Sequence, residues 1–148
     1  MSGEFYLRFF RGQRTGQRRG VDDALEFELV PGGMLRYVNS TSYGGESAIR
    51  KEVKLNGIVV HELQRIVRDS GLLQQDDAQW PAPGRDGRLE LECVCDEVHI
   101  SLTSAIVDSV EVLQSKDPGG LEVFVNCGHD VKTLVLSLLT VHTRVRPL

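Results

Sequence analysis

The chain has 148 residues, 41% apolar and 26% charged, with a formal net charge of -4 at pH 7. These totals describe a soluble globular protein with one core. The acidic balance argues against a surface built throughout to neutralise phosphate. The three cysteines, Cys93, Cys95 and Cys127, lack a disulfide-framework spacing and point to a reducing compartment. The opening "MSGEFYLRFF" reads as neither a leader nor a membrane span.

In chain order, "FYLRFF" (5–10) predicts a strand with Phe5, Leu7 and Phe9 on one face. The run "RGQRTGQRR" (11–19) follows as an arginine-bearing loop. "LEFELV" (25–30) alternates cleanly, with Leu25, Phe27 and Leu29 inward and Glu26 and Glu28 outward. "PGG" (31–33) turns the chain into "MLRYV", and "NSTSYGG" (39–45) is a polar loop. "SAIRKEVKL" from Ser47 alternates again, with Ile49, Val53 and Leu55 on one side. Lys51 shares their parity, so that face is expected to be partly open. The period then becomes helical over about 57–70, with Asn56 as N-cap and Gly71 as terminator.

The stretch "DDAQWPAPGRDGRLELEC" (76–93) holds the only Trp and two of the five prolines. It reads as a brace: Trp80 buries its ring while Pro81 and Pro83 stiffen the approach to the next strand. "RLELECVC" places Leu89, Leu91, Cys93 and Cys95 inward, and "HISLT" (99–103) returns across a tight turn. The run "SAIVDSVEVLQS" is left unassigned. Asp117 and Pro118 open a long helix reaching about residue 142. Five or six strands and two main helices in the order β-β-β-β-α-β-β-α imply an α+β fold: an antiparallel sheet wet on one side and covered by helices on the other.

Little of this pattern carries chemistry. The glycines at 12, 16 and 20 match neither a phosphate loop nor a dinucleotide fingerprint. Cys93 and Cys95 have the period of a core face and read as buried thiols; His99 alone nearby does not complete a zinc set. Ser101, His99 and Asp96 lie on or beside one hairpin without an elbow or oxyanion arrangement. No catalytic residue, cofactor or metal is assigned.

The last helix is the informative feature. From Val131 at 100° per residue, Val141, Leu134, Leu138, Val131, Val135, Leu139 and Leu136 sweep about 220°, more than one sheet face requires. Val125, His129, Lys132, Leu136 and Leu139 form a second ridge. Such a ridge is either covered by the first helix or presented to a partner, and the outer surface of the two helices is the expected docking face.

In their order and spacing, "FYLRFF", "LEFEL…P.G.LRY" (25–37), "IRKE" (49–52), "EL.RI..DS" (62–70), "DDA.WP.P.R.GR.ELE", "HIS" (99–101), "QSKDP.GL.VF" (114–124) and "D.K.LV.SL…H" closely resemble the Mago nashi family across essentially the whole chain. The resemblance implies a sheet covered on one side by two long helices and a shorter one. It implies a non-enzymatic core subunit of the exon junction complex, nuclear with shuttling to the cytoplasm and without membrane attachment. Such a subunit forms a heterodimer with an RNA-recognition-domain protein. The pair helps lock a DEAD-box RNA helicase on spliced mRNA, so that RNA is met only through the complex.

By motif, the partner surface would include Leu63, Arg65 and Ile66 on the first helix and Phe124, Lys132, Leu136 and Leu139 on the last. Helicase-facing positions would be Arg14 and Arg18 in the first loop, with Gly44, Gly71 and Gly119. The three glycines replace residues that are commonly charged in the family. The competing reading is a stand-alone RNA-binding protein using the arginine-rich loop and the outer strand face, where Tyr6 and Phe10 lie.

Overall fold

Four strands lead the chain: β1 (Tyr6–Arg14), β2 (Asp22–Leu29), β3 (Met34–Ser40) and β4 (Ala48–Lys54). Helix α1 (Gly57–Ser70), a 3-10 turn (Leu72–Gln74), β5 (Gly87–Cys95), β6 (Val98–Ser104), α2 (Ser109–Gln114) and α3 (Pro118–Arg144) complete it. This computed structural model describes residues 4–14, 22–40, 48–84 and 87–144. The strands form one sheet in the order β4-β3-β2-β1-β5-β6, every neighbouring pair antiparallel. The fold is α+β, with the helices packed on one sheet face.

Alternation decides which face that is. Leu7 lies between Leu29 and Cys93, and Phe9 between Phe27 and Leu91. These side chains are buried, and the Phe9 and Phe27 rings stack 5.1 Å apart. The intervening residues of the same strands carry the glutamates outward. Two consecutive left-handed residues, Asp96 and Glu97, close the β5–β6 hairpin, the geometry a tight two-residue turn requires.

The helix signals act as expected. Asn56 Oδ1 accepts from the backbone N–H groups of Ile58 and Val59 at 2.9 and 3.2 Å, and Gly71 ends α1 at φ +88°, where a side chain would be strained. Arg68 makes a paired contact with Asp96 at 2.7 and 2.8 Å, tying the end of α1 to the β5–β6 turn.

One expectation needs revision, and one unassigned run is resolved. β1 does not stop at Phe10: its pairing continues through Arg11, Gly12 and Gln13 to Arg14 opposite Asp22, so Arg14 closes a strand where a loop was expected. The unassigned run contains α2, six residues long. Asp108 and Glu111 exchange hydrogen bonds with each other's backbone N–H at 2.8 and 3.0 Å, and this capping box defines a start that periodicity over six residues cannot.

The brace is as read. Trp80 is 7% exposed, its ring lies 4.8 Å from that of Phe124, and its Nε1 donates to Asp117 Oδ2 at 3.0 Å. Asp117 Oδ1 in turn accepts from the Gly120 N–H at 3.1 Å. One carboxylate thus fixes both the loop and the first turn of α3.

Candidate functional site: the open shoulder of the last helix

Around α3, the arc holding Leu121, Phe124, Cys127, Val131, Val135 and Leu139 is buried. Cys127 lies toward α1, buried beside Ser70. Val123, Leu134 and Leu138 share that side of the helix and pack partly buried against the core. The neighbouring helix therefore covers one shoulder of the broad apolar sector.

The opposite shoulder is not sealed. Val125, His129, Lys132 and Leu136 border two clefts over the inner sheet face. One, of about 350 Å³, is floored by Leu25, Tyr37 and Asn39 beside Lys132 and Leu136. The other, of about 150 Å³, runs between Val125 and the segment Ile106–Val107. Arg11 and Lys132 line both, so the two clefts adjoin at these cations and together form a trough. Beyond it, at the β4 edge, Ile49 is 54% exposed, and Lys51 pairs in register with Tyr37 on the same face, the openness its parity suggested.

The outward face of α3 is polar: Glu122, Asn126, Asp130, Thr133, Ser137 and Thr140 are all exposed. The apolar sector of α3 therefore does not extend onto its outward face. The 220° sweep divides into a core arc, a shoulder under α1 and a shoulder along the trough.

The residues proposed for partner contact separate accordingly. Leu63 and Phe124 are fully buried and Leu139 is 5% exposed, because each lies on a face turned to the chain's own core. They shape a surface from beneath. Ile66 is partly buried against the core, and Arg65 is exposed, held by Glu62 and Asp69. Lys132 and Leu136 are half-buried and stand at the trough.

Of the helicase-facing candidates, Arg18 and Gly44 lie outside the described residues, and only the backbone of Arg14 is described. Gln75 links Gly71 to the start of α3 next to Gly119: its Nε2 donates to the Gly71 carbonyl at 3.1 Å, and the same amide's oxygen lies beside Gly120. A Cβ at Gly119 would meet nothing within 4 Å.

The outer sheet face is occupied by its own charges. Arg8 bridges Glu26 and Glu90 at 2.8 and 3.1 Å. Tyr6 donates to Glu28 at 2.7 Å, and burial together with that bond holds the phenol well above its usual range. Phe10 lies under the guanidinium groups of Arg8 and Arg88. Tyr6 is bonded to an acid and the Phe10 ring is capped by two guanidinium groups, which opposes base stacking against RNA.

The chemistry-bearing groups stay apart. His99 pairs with Glu92 at 2.8 Å and Asp96 with Arg68, so neither forms a relay with Ser101. All three cysteines are buried. Burial pushes the Cys127 thiol up to about 11 and raises Cys93 and Cys95 as well. Among the described residues no cluster of three or more His, Cys, Asp or Glu is placed to hold a metal, and no helix is long and apolar enough to cross a membrane.

Arg11 is the trough residue that sequence reading missed, although a signal was there. It continues the inward parity of Phe5, Leu7 and Phe9, and a cation on a core parity marks where the cover of that face ends. With this geometry in place, the family comparison is direct. The Mago nashi protein family profile matches residues 5–148, and the chain belongs to that family of non-enzymatic scaffold proteins.

Proposed function

We propose that this chain is an exon junction complex subunit that forms a heterodimer with an RNA-recognition-domain protein through the helical side of its sheet. The observation that carries the reading is the unsealed shoulder of α3, where Leu136 stands half-buried beside the trough. An apolar side chain in that position gains when a second protein excludes water from it. Exposed Arg65 and partly buried Ile66 on α1 extend the surface to the other helix.

The heterodimer then helps lock a DEAD-box RNA helicase on spliced mRNA, meeting RNA through the complex. The mechanism needs no catalytic group: binding the closed helicase better than the open one by 1.4 kcal/mol shifts that equilibrium about tenfold. Gly71, Gly119 and the end of β1 at Arg14 are the proposed helicase-facing points, and the proposed location is the nucleus with shuttling to the cytoplasm.

Co-purification with a recombinant RNA-recognition-domain subunit of a Mago nashi heterodimer tests the pairing. Wild type is expected to form a 1:1 complex. Leu136→Glu is expected to abolish it while leaving the thermal melt of the free chain within a few degrees. Retention of the complex by Leu136→Glu sinks this choice of surface.

A further inference from the structure

The trough carries a chemistry that its apolar walls do not explain. Arg11 and Lys132 are both half-buried, both line both clefts, and neither side chain makes an ion pair among the described residues. Asp23 stands at the wider end but is itself engaged. Withdrawing two cations part-way from water without a counter-charge is unfavourable, and an incoming carboxylate would offset it.

We infer that the trough receives an extended segment of the partner protein carrying a carboxylate between apolar side chains, the acid paired by Arg11 from the sheet and Lys132 from the helix. This rests on the reading that a protein partner covers the shoulder of α3. The apolar flanks of the segment lie against Leu136 and Leu25 on one side of the cations and Val125 and Val107 on the other. A phosphodiester would satisfy the charge but not these walls. Tyr37 offers no face for a base, since it is 7% exposed and its hydroxyl accepts from Asn39 Nδ2 at 3.2 Å.

The test measures Kd by titration calorimetry between the full chain and the recombinant RNA-recognition-domain subunit, at about 50 and about 300 mM NaCl. The variants are Arg11→Leu with Lys132→Met together, Lys132→Arg, and Leu136→Glu, each checked for folding by circular dichroism. Arg11→Leu continues an apolar stripe, so the double variant is expected to remain folded. The wild type should bind less tightly at the higher salt. The double variant should lose affinity by about tenfold or more at low salt, with most of the salt dependence gone, and Lys132→Arg, which keeps the charge, should bind within about threefold of the wild type with the same salt slope.

A double variant that binds like wild type with the same salt slope, while Leu136→Glu does not bind, overturns the cation pairing and leaves the docking surface standing. Failure of the wild type to bind overturns both. A double variant that loses a U-rich single-stranded RNA oligonucleotide but keeps the protein partner also overturns the inference.

Discussion

Replacing Trp80 by Phe isolates the part of the brace that is polar. The substitution keeps an aromatic ring against Phe124 but removes the Nε1–H that Asp117 Oδ2 accepts at 3.0 Å. A hydrogen bond to a charged acceptor contributes about 1.5–3 kcal/mol. At about 2–4 °C per kcal/mol for a chain near this size, Trp80→Phe should lower Tm by about 3–12 °C. Trp80→Ala also opens a cavity over Phe124, and removal of a buried aromatic ring alone costs about 3–5 kcal/mol.

Because the same carboxylate caps α3 through the Gly120 N–H, the effects of Trp80→Phe and Asp117→Ala should not add. A double-mutant cycle by urea unfolding, followed by far-UV circular dichroism since Trp80 is the only Trp, should return a coupling of about 1 kcal/mol or more. Additive effects, or a Trp80→Phe cost below about 0.5 kcal/mol, would refute the shared-carboxylate account.

Leu139→Ala should destabilise the free chain by about 2–5 kcal/mol in urea titration because that side chain is 5% exposed. Leu136→Ala should cost less in the free chain and show its larger effect in partner affinity. Gly119→Glu should raise stability by about 1–2 kcal/mol, because the Cβ has open space in the first turn of α3, helix propensity improves and the N-terminal dipole favours the acid. Gly71→Glu should do the opposite, since φ is +88° there, and paired melts decide both signs. For Cys127, with its folded thiol near 11 against an ordinary 9.0, the unfolded chain deprotonates first as pH rises. Its share of the stability present below about pH 9 should therefore fall by about 2–3 kcal/mol as pH approaches 11, and Cys127→Ala should make the slope shallower by that share in urea titrations, leaving the parts due to Cys93 and Cys95.

Local patterns carried most of the architecture. Two-residue alternation in 25–30 and 89–95 named the inward side chains because successive strand residues point to opposite faces. Asn56, Gly71 and Asp117 marked helix ends because each supplies a bond or a backbone conformation that an end needs. The brace at Trp80 was legible for a similar reason: a lone large ring followed by two stiffening prolines has few uses other than burial. The short α2 and the extension of β1 to Arg14 were not legible, the first because six residues hold too few turns to display a period, the second because strand length there depends on what pairs alongside.

The candidate site divides along the same line. Sequence by itself determined that α3 has more apolar girth than one sheet face covers, and family motifs pointed to Lys132 and Leu136. Only the tertiary structure decided where that excess goes: α1 seals one shoulder, the core takes Leu63, Phe124 and Leu139, and the opposite shoulder is left over a trough with Arg11 in its floor. A helical period records the angle of each side chain about its own axis, whereas burial depends on which neighbour occupies that angle, and the neighbours here come from strands and a helix distant along the chain.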